Sequence, residues 1–128
     1  MVLISLENTR ILRVFLFGNA MSRFAPMPDT SYYAAIFSNQ ASETPEGYAE
    51  MAAAMGEVAK TLPVYIGIES TRYAEGFAIT VSYWESEDAI KGWREHAKHA
   101  IAQKIGKERW YDDYILRVAK VERQYSFK

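Results

Sequence analysis

The chain has 128 residues, 49% of them hydrophobic and 24% charged, with a formal net charge of −1 and no cysteine. That length and composition fit one globular domain with a single core. A nearly neutral chain without basic clusters lacks the footprint for nucleic acid or an anionic membrane surface. The absence of cysteine excludes disulfides, thiolate metal sites, iron–sulfur clusters and cysteine nucleophiles.

Residues 1–31 differ in pattern from the rest of the chain. Residues 11–17 read as a strand, but Gly18, Asn19, Pro26, Pro28 and Asp29 interrupt the continuation. The apolar run Val14-Phe15-Leu16-Phe17 is far shorter than the roughly 20 residues of a membrane span. Glu7, Arg10 and Arg13 break up what would be the apolar part of a signal peptide, so a cytoplasmic location is expected. Residues 1–31 are read as an N-terminal extension, either a poorly ordered or edge-strand segment or the product of a start codon placed upstream of Met27. The domain proper is expected at 32–128.

From residue 32 the elements come in a regular order. Residues 32–38 (YYAAIFS) predict a strand. Thr44-Pro45-Glu46 offers a hydroxyl cap, a proline that needs no N–H partner and a first-turn acid, predicting a helix start. Tyr48, Met51, Ala52, Met55, Val58, Ala59 and Leu62 then share one helix face until Pro63. Residues 64–72 (VYIGIESTR) predict a strand, and Ala74-Glu75-Gly76 a hairpin turn. Residues 77–84 alternate Phe77, Ile79, Val81 and Tyr83 against Ala78, Thr80, Ser82 and Trp84, a period of two. One helix is expected from Ser86 to Ile105, ended by Gly106, and a fourth strand at 114–125.

The order β-α-β-β-α-β is the split βαβ, ferredoxin-like pattern of an α+β protein. Two helices cover one face of a four-stranded sheet, yet the strands carry apolar residues on both faces. Leu116 and Val118 oppose Ile115, Ala119 and Val121. A homodimer closed through the second sheet face is therefore expected.

On the second helix, at about 100° per residue, Ile90, Trp93, Ala97, Ala100 and Ile101 form the core stripe. His96 and Gln103 project at its margin, and His99 is expected nearer the polar side. Trp93 reads as core anchor or pocket wall, and His96 as a half-buried hydrogen-bonding residue or a base. The His96/His99 pair lacks the third ligand of a recognisable metal motif, so no metal site is expected. Arg72, closing a strand, is placed to pair with an acid or to meet a substrate. Aromatic residues spread over every element suggest a pocket for a flat organic molecule.

The segments YYAAIFS, IGIESTR, GFAITVSYWESEDAIKGW, HAIAQ and ERWYDDYILRVAKVERQY, over roughly residues 32–125, together resemble the antibiotic biosynthesis monooxygenase-like domains. The resemblance implies a ferredoxin-like subunit in a dimeric α+β barrel, with a pocket between sheet and helices. It implies an oxygenase that works without cofactor on a small aromatic or quinol-like molecule. Trp93, His96 and Asn39 match the catalytic cast. Tyr83, Trp84, Arg72, His99 and Gln103 would bind substrate. A haem-degrading enzyme is the alternative it implies, with Asn39 and Trp93 in matching places and Gln103 where a ligating histidine belongs. A non-catalytic binding or structural domain is the third reading.

Overall fold

A computed structural model describes residues 23–127; the strand expected at 11–17 lies outside them. Strand β1 (Tyr32–Ala41) leads to helix α1 (Tyr48–Lys60). Strands β2 (Tyr65–Arg72) and β3 (Phe77–Trp84) form the hairpin, with Gly76 at φ 96°. Helices α2 (Glu87–Glu95) and α3 (Ala97–Ile105) and a π-helical turn (Gly106–Trp110) precede β4 (Tyr111–Val121). The sheet order is β2-β3-β1-β4 with every pair antiparallel. The ferredoxin-like α+β subunit is the one expected from the element order.

The period of two in β3 sorts its side chains as the pattern requires. Ala78, Thr80, Ser82 and Trp84 are buried beneath the helices. Phe77 and Ile79 stand exposed on the opposite face, joined there by Ile115 of β4. Phe37, Met55, Trp84, Ile90, Trp93, Trp110 and Tyr111 belong to one core between sheet and helices.

Four expectations about element ends are corrected. Helix α1 starts at Tyr48 after Gly47 in the left-handed region (φ 84°), without a side-chain cap. The hydroxyls of Ser42 and Thr44 donate instead to the carbonyl of Arg109, and the Trp110 indole donates to the Glu46 carbonyl at 2.9 Å. Thr44 pins the loop to the π-helical turn, and the helix begins only beyond Gly47, out of reach of its hydroxyl as a cap. β1 also runs three residues past Ser38, and β4 occupies Tyr111–Val121 rather than 114–125, because β1 pairs with β4 as far as Ala41 opposite Tyr111.

The fourth correction concerns the second helix. It starts as expected, Ser86 accepting from the Ala89 N–H at 3.0 Å. It is not continuous to Ile105: His96 takes φ −58°, ψ 132° and divides it into α2 and α3. The exposed carbonyl ends of α2 find partners across the break. The Trp93 carbonyl accepts from the His96 N–H at 3.1 Å and lies 3.0 Å from His99 Nδ1. The Arg94 carbonyl accepts from Gln103 Nε2 at 3.2 Å. The turn re-aims α3: Ala100 and Ile101, expected in the core stripe, are exposed, while His99 and Ala102 are fully buried.

The chain entering β1 is tied to the open face of the sheet. The Ala25 N–H donates to Glu69 at 3.0 Å. Pro26 and Ala25 lie so close over Gly67 that a Cβ there would meet them at 2.9 and 3.0 Å.

Candidate functional site

The residues singled out in the sequence occupy three places. Trp84, Trp93, His96, His99 and Gln103 come together at the elbow between α2 and α3. The Trp84 and Trp93 rings are 5.8 Å apart. The His99 imidazole stacks on Trp93 at 4.4 Å and 20°, and His96 lies 5.8 Å from the same indole. Trp84 also donates from Nε1 to Ser82 at 2.9 Å and meets the edge of Tyr65. Burial pushes the Tyr65 phenol up to about 12.

His99, expected near the polar side, has no exposed surface. Burial pushes its pKa down to about 3, so the imidazole is neutral at physiological pH. A carbonyl only accepts, so the 3.0 Å contact with Trp93 assigns the ring proton to Nδ1. Gln103 Nε2, 3.4 Å from that nitrogen, is a second donor there and spends its bond on Arg94.

Asn39 and Arg72 meet at the other end of the sheet. Asn39 sits opposite Ala78 in β3, and Ala78 is opposite Arg72 in β2. Arg72 donates to Asn39 Oδ1 at 3.2 Å and to the Gly76 carbonyl at 2.6 Å, and its guanidinium lies 5.9 Å from the Tyr48 ring. It thus bonds an amide and a carbonyl rather than the acid that sequence reasoning offered. Ala78 and Trp84 are six residues apart on β3, about 20 Å at ~3.3 Å per residue. Asn39 is therefore not beside Trp93.

Tyr83 occupies the third place, on the open face opposite Trp84. It donates to Glu69 at 2.8 Å and meets Tyr32 edge-on at 5.7 Å. Burial, then the hydrogen bond to Glu69, raise its phenol above the ordinary tyrosine range.

A groove of about 500 Å³ runs between α2, α3 and β4, with Ile90 and Val118 as its apolar lining and Lys91, Arg94, Glu95 and Gln103 among its polar walls. That volume suits one small organic molecule. Among the described residues no three His, Cys, Asp or Glu side chains are grouped to hold a metal, and no helix is long and apolar enough to cross a membrane.

Sequence reasoning gave no separate role to Tyr111, which packs among Phe37, Tyr48 and Tyr114. Its ring lies 5.3 Å from Phe37 and 6.0 Å from Tyr48, and its hydroxyl is buried. Burial raises its pKa, and so do the neighbouring Tyr48 phenol and a hydrogen bond with it, against the pull of Arg72. The signal in the sequence was Gly106, which lies directly under the ring: a Cβ there would be 2.9 Å from Tyr111 Cε2.

This arrangement of sheet, helices and aromatic interior is the ferredoxin-like fold of the antibiotic biosynthesis monooxygenase-like proteins. SnoaB, a cofactor-independent oxygenase from Streptomyces nogalater, superposes with a TM-score of 0.56 at 7% identity, over 76% of this chain and 96% of its own. A dimeric ferredoxin-like protein of unknown function from Thermobifida fusca superposes at 0.58 with 12% identity, over 78% and 99%. The chain belongs to the family of the uncharacterised protein YqjZ of Bacillus subtilis, being 46% identical to it over 108 residues, 84% of this chain and 95% of YqjZ. It is also 36% identical over 58 residues to the jasmonate monooxygenase ABM of Pyricularia oryzae, a match covering 42% of this chain and 27% of that enzyme. No family model matches the chain.

Proposed function

We propose that the protein is a cofactor-independent monooxygenase for a small aromatic or quinol-like molecule. The observation that carries this reading is the groove of about 500 Å³ beside the α2–α3 elbow, lined by Ile90, Arg94 and Gln103, with Trp93, His96 and His99 packed at the elbow outside its lining. The likenesses to SnoaB in fold and to the jasmonate monooxygenase over part of the sequence support it.

In this reading the electrons for dioxygen come from the substrate's own phenolate or carbanion. The protein has to bind that molecule, orient it and move a proton. His96, half-buried at the elbow, accepts the substrate's acidic proton. Trp93, held between Trp84 and His99, supports the core beneath the groove that Ile90 lines. Neutral His99 and Gln103 act on the backbone, holding the ends of α2 at Trp93 and Arg94.

Haem fits this elbow poorly. Gln103 stands where the ligand is needed and is bonded to Arg94, while His99 lies flat on Trp93 with no exposed surface. The working unit is a homodimer joined through the open sheet face, where Phe77, Ile79 and Ile115 are 38%, 41% and 54% exposed.

Oxygen uptake with a panel of hydroquinones and polyphenols tests the reading. The wild type should consume oxygen above the non-enzymatic rate, with His96→Ala and Trp93→Phe inactive but folded. No uptake across the panel, together with a saturable Soret shift on adding hemin, would sink it in favour of haem.

A further inference from the structure

We propose that a second copy of the chain docks on the open sheet face about a two-fold axis at Ile115, so that Asp113 of each copy pairs with the partner's Arg117. This docking rests on the homodimer inferred above and fixes its axis and its charged contacts. On β4, Asp113, Ile115 and Arg117 alternate onto the open face, and all three are exposed. Register extends each of them into a row across the sheet. Ile115 is opposite Ser38, Ser38 opposite Ile79, and Ile79 opposite Thr71. The row on one side holds Asp113, Gln40 and Phe77, and the row on the other holds Arg117, Ile36, Val81 and Glu69.

One row beyond Arg117 the face is closed over its centre. Ala34 is buried there, and Gly67 lies beneath Ala25 and Pro26. The row of Ile115 and Ile79 is therefore the middle of the open patch. Asp113 and Arg117 stand on either side of it with opposite charges. They are four residues apart, about 13 Å at ~3.3 Å per residue, too far to neutralise each other within one chain. Neither is in an ion pair among the described residues. Glu69, the other carboxylate in these rows, is already held by Tyr83 and the Ala25 N–H.

Such a patch is its own complement. A two-fold contact sets the same surface on both sides. With the axis along the middle row, Ile115 and Ile79 meet their own copies, and the Asp113 row faces the row of the partner's Arg117. Packed sheets lie about 10 Å apart, a gap that an aspartate and an extended arginine close from opposite sides. The apolar residues are covered and no like charges are opposed. A partner carrying one sign of charge would set either Asp113 or Arg117 against its like.

The test is charge exchange on the full chain, read by sedimentation and native mass spectrometry. The wild type should be dimeric. A copy carrying Asp113→Lys presents two cations and a copy carrying Arg117→Glu two anions, so each variant alone should self-associate about tenfold more weakly or worse. Both positions are exposed, and the circular dichroism of each variant should match the wild type. The double variant reverses both charges and should recover the wild-type dissociation constant. The two single variants, co-expressed in equal amounts, should form mostly the mixed dimer, against about half for random pairing. Their different masses let mixed and like dimers be counted separately. A mixed fraction near half, or a double variant that associates no better than the singles, overturns this axis while the homodimer stands. A monomeric wild type overturns the homodimer and the axis together.

Discussion

His99 makes the stability of this protein depend on pH in a calculable way. Its imidazole is fully buried against Trp93, and its pKa falls from the ordinary 6.5 to about 3 because burial penalises the charged ring. A lowered base pKa means that the unfolded chain takes up the proton first. Above about pH 6.5 both states are neutral and the group contributes no pH dependence. As the pH drops below 6.5 the unfolded state is protonated and favoured, by up to about 1.4 kcal/mol per pH unit, until the folded pKa near 3 is reached. Between pH 7.5 and 4.5 the loss from this one residue amounts to about 2.6 kcal/mol. The perturbation is His99→Phe, which keeps a ring on Trp93 and removes both the titration and the Nδ1 bond. Urea unfolding at fixed protein concentration, for wild type and variant at several pH values, gives the difference in stability with other titrations cancelled. The wild type should hold an advantage near neutrality of about 1 kcal/mol from the bond to Trp93, and by pH 4.5 the variant should be the more stable. A difference that stays flat from pH 7.5 to 4.5 would refute the buried, neutral histidine.

Two glycines give further predictions from close packing. Gly106→Ala should lower stability by about 1–3 kcal/mol, because its Cβ would sit 2.9 Å from Tyr111 Cε2 and displace a ring packed against Phe37; denaturant unfolding measures it. Gly67→Ala should instead act locally by lifting Ala25 and Pro26 off β2. Amide hydrogen exchange at Ala25, whose N–H is held by Glu69, should quicken while exchange in β1 and β3 is unchanged.

Much of the fold was legible because its signals are local. The alternation in β3, the cap at Ser86 and the hairpin glycine each act over a few residues, and each element appears where its pattern lies. The misread places are those where a side chain found a partner far along the chain. Thr44 carries the chemistry of a helix cap, but the Arg109 carbonyl takes its hydroxyl. His99 and Gln103 read as points on one continuing helix, yet their bonds to Trp93 and Arg94 are what make a break at His96 stable. Helical periodicity assigns faces only while the helix is unbroken, so it put His99 outward and Ile101 inward. Asn39 and Arg72 were each visible as candidates. Their meeting depends on register through β3, where Ala78 stands opposite both.

The separation of the two ends bears on how any loss of activity should be read. Val118, which lines the groove, pairs with Ala35, four residues from Asn39 on β1, or about 13 Å at ~3.3 Å per residue. A molecule seated in the groove and touching Ile90 does not reach Asn39 without spanning that length. Sites this far apart with no shared partner respond to substitution nearly independently. Arg72→Gln and Asn39→Ala should therefore leave quinol oxidation intact, while His96→Ala abolishes it. A double variant whose effects multiply simply would agree with two sites. Strong coupling between His96→Ala and Asn39→Ala would instead mean that one elongated substrate lies along β1, with one end at Asn39 and its oxidisable ring at the elbow.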